Sequence, residues 1–196
     1  MSRRKTASPK ADRDAAGPGP LPGTPTGHRL IDRIVRVDHA GEYGAKRIYE
    51  GQIAVLGDDP ELGPLLRHMA EQEAEHLQAF EKLIVERRAR PSLLHPLWHV
   101  AGFALGAGTA LLGPRAAMAC TVAVEEVIDE HYAHQAEQLG EDEKPLRDKI
   151  EKFRAEELEH RDIGLDHGAE RTPGYRLLSG AIKAGSRAAI WLAERV

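Results

Sequence analysis

Apolar residues recur every three to four positions through most of the chain, which is the periodicity of amphipathic helices. Glycine and proline interrupt this pattern at Gly57, Gly113-Pro114 and Pro145, and such breaks separate one helix from the next. The pattern predicts four long helices, over residues 32–56, 60–88, 114–139 and 145–167, and a shorter amphipathic helix over 175–196. Gly63-Pro64 offers a later start for the second helix. The fold predicted is all-α, a four-helix bundle with additional helices.

Two four-residue phrases carry the candidate chemistry, Glu73-Ala74-Glu75-His76 and Glu157-Leu158-Glu159-His160. On a helix, residues three apart share a face, so each Glu and His can hold one metal ion. The phrases lie 84 residues apart, and an isolated carboxylate precedes each of them on the preceding predicted helix. The chain therefore contains a duplicated helix pair. Four helices that direct Glu, Glu-x-x-His, Glu and Glu-x-x-His inward provide the ligands of a carboxylate-bridged di-iron bundle.

The isolated carboxylate of the first half is Glu42, but the second half offers both Glu125 and Glu126. The 84-residue repeat selects Glu126, which lies that far after Glu42. The helix face selects Glu125, because its neighbours one and two turns away are apolar, whereas Glu126 shares its face with Asp129. Duplicated halves can differ by one residue in a loop, so we choose Glu125. Burying four carboxylates without a cation would be very costly, and such ligands suit iron or manganese.

Three polar residues near these carboxylates are weaker candidates. His39 lies one turn before Glu42 and is either a ligand or a solvated residue. His131 and Tyr132 follow Glu125 by six and seven residues, so Tyr132 can face the site and His131 can flank it.

Composition limits the classes of partner and compartment. Residues 1–29 contain five prolines and four glycines and predict a disordered tail before one domain, residues 30–196. The net charge of −4 gives no basic excess, so nucleic acid is not an expected partner. A single cysteine, Cys120, predicts a reducing compartment.

Residues 91–114 contain no charged side chain and are long enough to be a transmembrane candidate. A full crossing would place the two halves of the predicted metal site on opposite sides of the bilayer, which rules it out. We predict instead a helical crossover between the second and third bundle helices. Its apolar face should lie in a membrane interface or against another subunit, and Gly102, Gly106 and Gly108 should allow close approach.

Four long phrases resemble the demethoxyubiquinone hydroxylase family of ubiquinone biosynthesis. They are VDHAGEYGA (37–45), FALGAGTALLG (103–113), ACTVAVEE (119–126) and EELEHRDIGLDH (156–167). The similarity extends from about residue 30 to the C-terminus. The resemblance implies a ferritin-like di-iron domain, with the iron ligands Glu42, Glu73, His76, Glu125, Glu157 and His160. It also implies a redox role for the pair His131 and Tyr132.

The function implied by the resemblance is that of a mono-oxygenase. With two iron ions, dioxygen and an external reductant such as NADH, it would hydroxylate the ring of demethoxyubiquinone or its quinol. The expected location is peripheral, on the cytoplasmic face of a bacterial cell membrane or on the matrix side of the mitochondrial inner membrane. A ubiquinone biosynthesis complex or a homo-oligomer is an expected assembly. Two alternatives use the same residues, a ferritin-like iron oxidase or storage protein and a non-catalytic quinone-binding scaffold.

Overall fold

A computed structural model describes the backbone of residues 27–196 and the side chains from residue 29 onward. The predicted disordered tail lies outside the described residues as far as position 26, and its disorder stays a prediction. The described part contains short 3-10 turns at 141–143 and 169–171 and no strand, so the predicted all-α fold is confirmed. Its six helices are α1 (Gly27–Leu56), α2 (Leu62–Arg87), α3 (His95–Leu111), α4 (Pro114–Gln138), α5 (Lys144–Asp166) and α6 (Tyr175–Ala193).

The first two helices begin at positions other than those predicted. Helix α1 starts at Gly27 rather than near Asp32, because Leu30 and Ile31 continue its apolar stripe and pack into the core. Helix α2 starts at Leu62, later than expected. Before this start, the Asp59 side chain accepts hydrogen bonds from the backbone N–H groups of Glu61 and Leu62, at 2.9 and 2.8 Å. The carboxylate therefore organises the turn that leads into α2.

The core of the bundle has two apolar layers. One layer joins Ile34, Val35, Phe80, Leu146, Ile150 and Phe153, and the other joins Tyr49, Leu66, Met69, Met118 and Val122. Along α2, Glu73 and His76 lie between Met69 of one layer and Phe80 of the other. The polar residues of the Glu-x-x-His phrases are thus enclosed between two apolar layers.

The crossover helix α3 packs closely against α1. A Cβ atom added to Gly106 would lie 1.9 Å from the carbonyl oxygen of Ile48, and one added to Gly102 would lie 2.8 Å from that of Gly44. Gly102 and Gly106 therefore allow a close approach of α3 to α1. An added Cβ at Gly108 would meet nothing within 4 Å among the described residues, because Gly108 lies on the opposite, exposed face of α3, where close approach to a membrane or another subunit stays a prediction.

Helices α3 and α6 each expose apolar side chains. On α3 these are Leu97, Val100 and Leu111, and on α6 they are Leu177 and Trp191. The inner face of α6 packs on α4 through Ile182, which joins an apolar cluster with Cys120 and Val124. Within residues 27–196, no helix is long and apolar enough to cross a membrane.

Candidate metal centre

The six predicted ligands come together in the middle of the bundle. Their carboxylate oxygens and ring nitrogens form two groups of four, and within each group the atoms lie within 4.8 Å of one another. Both groups contain Glu73 and Glu157. One group is completed by Glu42 and His76, the other by Glu125 and His160, and all six side chains are buried.

Helix α4 brings Glu125 rather than Glu126 into this cluster. Glu125 is 1% exposed, whereas Glu126 is half-buried on the other side of α4 and forms an ion pair with Lys183 of α6. The helix face therefore located the buried carboxylate, and the exact 84-residue repeat did not. The two halves of the chain differ by one residue between their carboxylates.

Glu157 lies between the two histidines. Its Oε1 atom is 3.0 Å from His76 Nδ1, and its Oε2 atom is 3.1 Å from His160 Nδ1. The same ring nitrogens also approach Glu42 Oε2 at 3.5 Å and Glu73 Oε1 at 3.4 Å. Both imidazoles thus direct Nδ1 toward the carboxylates and Nε2 away from them.

The outward nitrogens of the two histidines have side-chain partners. His76 Nε2 lies 2.9 Å from Glu156 Oε2, and His160 Nε2 lies 3.0 Å from Gln72 Oε1. Sequence reasoning missed both partners. The signal was nevertheless present, because Gln72 and Glu156 each directly precede the Glu of one phrase and lie 84 residues apart.

Two tyrosines donate hydrogen bonds to the isolated carboxylates in a reciprocal arrangement. Tyr132 of α4 donates to Glu42 of α1, and Tyr49 of α1 donates to Glu125 of α4 at 3.0 Å. Each tyrosine follows the carboxylate of its own helix by seven residues, two helical turns. Each tyrosine therefore joins the two halves of the centre by a hydrogen bond.

Burial, mutual repulsion and hydrogen bonds shift the pKa values of the residues in the cluster. Burial raises the pKa of Glu73 and of Glu125 well above 4.5, and repulsion from Glu157 adds to both shifts. Burial alone would lower the pKa of His76, but the hydrogen bond to Glu157 and the attraction of the Glu42 carboxylate outweigh it and raise this pKa to about 12. For Glu157, hydrogen bonds from His160 and His76 outweigh burial and lower the pKa to about 2.

The donor set fits a pair of divalent cations. Among the described residues, four carboxylate oxygens of the cluster are buried without a hydrogen-bond partner: Glu42 Oε2, Glu73 Oε1, Glu73 Oε2 and Glu125 Oε2. Unpaired buried carboxylate oxygens are very costly unless a cation satisfies them. Four carboxylates with two imidazoles are the ligands that iron and manganese favour in such bundles.

The weaker candidates lie at different distances from the cluster. Tyr132 is buried and bonded to Glu42, whereas His131 beside it is half-buried, with its Nε2 atom 3.2 Å from Asp38 Oδ1. Asp38 is itself buried and was missed by sequence reasoning. His39 belongs to neither group of four, and its Nδ1 atom lies 3.2 Å from His95 Nε2 of α3.

An apolar groove lies between α1, α3, α4 and α6. Its wall includes Ala45 and Ile128, which follow Glu42 and Glu125 by three residues on α1 and α4. Gly41 and Gly44 also line it, and a Cβ atom on either glycine would meet no atom of the described part of the chain within 4 Å. The groove therefore borders the helices that provide the isolated carboxylates.

Comparison with known proteins identifies close relatives. The family model described as "Ubiquinone biosynthesis protein COQ7" matches residues 29–193. The 3-demethoxyubiquinol 3-hydroxylase of Rhodospirillum rubrum is 62% identical over 176 residues, which is 90% of this chain and 83% of the relative. The human protein named "NADPH-dependent 3-demethoxyubiquinone 3-hydroxylase, mitochondrial" is 58% identical over 170 residues, covering 85% and 78% of the two chains. The Saccharomyces cerevisiae 5-demethoxyubiquinone hydroxylase, also named mitochondrial, is 45% identical over 183 residues with the same coverage.

Proposed function

The chain belongs to the ubiquinone biosynthesis protein COQ7 family, and we propose on this premise that it hydroxylates the ring of demethoxyubiquinone or its quinol. The proposal rests on one observation: two buried groups of four residues have Glu73 and Glu157 in common. The reaction inserts one oxygen atom of dioxygen into a ring C–H bond. The other atom leaves as water, and an external reductant provides two electrons.

The proposed ligands divide into terminal and shared residues. Glu42 and His76 would hold one iron ion, and Glu125 and His160 would hold the other. Glu73 and Glu157 belong to both groups and would help to hold both ions. Iron held by these residues would supply the activation of dioxygen. The protein contributes the ligands, and its two apolar layers keep bulk water away from them.

His131 and Tyr132 would connect the metal centre with the protein surface. The Tyr132 hydroxyl holds a proton against Glu42, while His131 is half-buried and bonded to Asp38. The centroids of the two rings lie 6.2 Å apart. We therefore assign to this pair the entry of protons and electrons from a reductant such as NADH. The name of the human relative points to NADPH as the other reductant to test.

The apolar groove would receive the quinone. A prenylated ring is largely apolar, and the wall of the groove is almost entirely apolar as well. Gly41 and Gly44 lie inside helix α1, where glycine costs roughly 1 kcal/mol relative to alanine. Within residues 27–196, no neighbouring atom requires a glycine at either position. Room for a ligand is the physical reason we assign to both.

The mouth of the groove would rest on a membrane surface. Trp98 of α3 and Ile190 of α6 line the groove, and these are the two helices that expose apolar faces. A peripheral protein that lays such faces in the interface could receive a lipid substrate directly from the bilayer. We propose the cytoplasmic face of a bacterial membrane, with the matrix side of the mitochondrial inner membrane as the alternative. A larger biosynthetic complex or a homo-oligomer stays a prediction.

The experiment compares two glutamates of the same phrase. The protein is reconstituted with iron and supplied with demethoxyubiquinone in phospholipid vesicles, with NADH or NADPH and dioxygen, and the quinones are analysed by mass spectrometry. Glu157→Gln should abolish the hydroxylated product, whereas Glu159→Gln, which changes an exposed residue of the same helix, should leave it intact. Full hydroxylation by Glu157→Gln would overturn the proposed mechanism. Oxygen consumption without hydroxylated quinone in the wild-type protein would indicate an iron oxidase.

A further inference from the structure

The two halves of the centre match in their proposed ligands but differ in the groups that hold their histidines. Each half has one terminal carboxylate with a tyrosine donor, one histidine and the two shared carboxylates. His76 Nε2, however, faces a carboxylate, Glu156 Oε2 at 2.9 Å. At the corresponding place in the other half, His160 Nε2 faces a neutral amide oxygen, Gln72 Oε1 at 3.0 Å. We propose that Glu156 and Gln72 are positioning residues that give the metal position at His76 a higher metal affinity than the position at His160.

The physical reason is the charge on the hydrogen-bond acceptor. A hydrogen bond to a carboxylate is roughly twice as strong as one to a neutral amide oxygen. A carboxylate that accepts the outer N–H of a histidine also makes the opposite ring nitrogen a better electron donor to a metal. Loss of such a partner typically lowers metal affinity by about 10- to 100-fold. His76 has this partner and His160 does not.

The surroundings of Glu156 keep its carboxylate available to His76. Its other oxygen, Oε1, accepts a hydrogen bond from Lys152 Nζ at 2.7 Å, which holds the carboxylate in place. Lys152 and Phe153 lie on the same turn of α5, and the Phe153 ring packs against the His76 ring with centroids 4.1 Å apart. The orientation of His76 is therefore fixed from two sides.

The substitutions that test this asymmetry keep the size of each side chain and change its charge, and Glu156→Gln also replaces the ion pair with Lys152 by a neutral hydrogen bond. Gln72 and Glu156 are both half-buried, so either side chain can be Gln or Glu without a large change in volume or solvation. Gln72→Glu gives both histidines a carboxylate partner, and Glu156→Gln gives both an amide partner. Both substitutions should therefore reduce the difference in metal affinity between the two positions. Gln72→Glu should raise the affinity at His160, and Glu156→Gln should lower the affinity at His76.

The test is an anaerobic titration of the full-length protein with cobalt(II). Competition with a chelator gives the two stepwise affinities, and the paramagnetic shifts of the His76 and His160 ring resonances show which position fills first. In the wild-type protein we expect His76 to respond first, with the first step at least about tenfold tighter than the second. Gln72→Glu should tighten the second step by a similar factor, and Glu156→Gln should weaken the first. Circular dichroism verifies that each variant is folded.

This inference rests on the proposed ligand set and not on the proposed substrate. If two cobalt ions bind but His160 responds first, or both histidines respond together in the wild-type protein, the proposal is overturned while the ligand set stands. If neither histidine responds to cobalt, the ligand set itself is wrong, and the proposal is overturned with it. If His76 responds first but both folded variants keep the wild-type stepwise affinities, the order does not depend on Gln72 and Glu156, and the proposal is overturned as well.

Discussion

Replacing Gly106 with alanine should force the crossover helix α3 away from α1. The new Cβ atom would lie 1.9 Å from the Ile48 carbonyl oxygen and 2.8 Å from its carbonyl carbon, whereas ordinary contacts begin near 3.4 Å. Both obstructing atoms belong to the backbone of α1, so no side-chain rotation can relieve the overlap. The two helices must separate, or α1 must bend.

The cost of this substitution follows from two opposing effects. Overpacking of a well-packed contact costs about 1–3 kcal/mol, and a clash with fixed backbone belongs at the upper end. Alanine gains about 1 kcal/mol over glycine inside a helix. The free energy of unfolding should therefore fall by about 2 kcal/mol, which corresponds to a decrease in Tm of about 4–8 °C for a chain of this size.

Gly108→Ala is the matched control, because Gly108 lies in the same helix and its added Cβ would meet nothing within 4 Å. Only the gain in helix propensity applies there, so this variant should be more stable than the wild-type protein by up to about 1 kcal/mol. Urea unfolding followed by far-ultraviolet circular dichroism measures both changes. If Gly106→Ala were as stable as Gly108→Ala, the close packing of α3 on α1 would be wrong.

Three further predictions concern the centre and the groove. Tyr49→Phe removes the hydrogen bond to Glu125 Oε1 and should lower the free energy of unfolding by about 1–3 kcal/mol in urea unfolding; an unchanged midpoint would contradict this role. Because burial raises the pKa values of Glu73 and Glu125, protons compete with an incoming metal for these carboxylates. Cobalt affinity measured by chelator competition should therefore increase as the pH rises from about 6 to about 8, and a flat profile would refute the proton assignment. Gly44→Leu should fill the groove and raise the KM for the quinone while iron content stays the same; an unchanged KM would remove the groove from the substrate path.

Helix periodicity was sufficient to predict the fold and the location of the buried cluster. Glu73, His76, Glu157 and His160 follow a spacing that lies within single helices, and their apolar neighbours show which face is buried. The same reasoning separated Glu125 from Glu126, since one is buried in the cluster and the other pairs with Lys183. Information of this kind is local to one helix, so a sequence can reveal it.

Contacts between helices were the part that the sequence did not reveal. The bonds from His76 to Glu156 and from His160 to Gln72 join α2 and α5, and their geometry depends on how the two helices are rotated against each other. The crossing of α3 over α1 likewise determines that Gly106 is enclosed while Gly108 is exposed, although both glycines stand in the same apolar phrase. The start of α1 differs from its prediction for a related reason. Ile31 packs into the core, and this packing extends α1 toward the N-terminus.

A single turnover under isotopically heavy dioxygen tests the central claim most directly. The iron-loaded protein is reduced without oxygen, mixed with demethoxyubiquinone in vesicles and then exposed to the labelled gas, and the extracted quinone is analysed by mass spectrometry. We predict a hydroxylated quinone that carries one heavy oxygen atom on its ring. Unlabelled hydroxylated quinone, or labelled water without any hydroxylated quinone, would contradict a mono-oxygenase centred on the six buried residues.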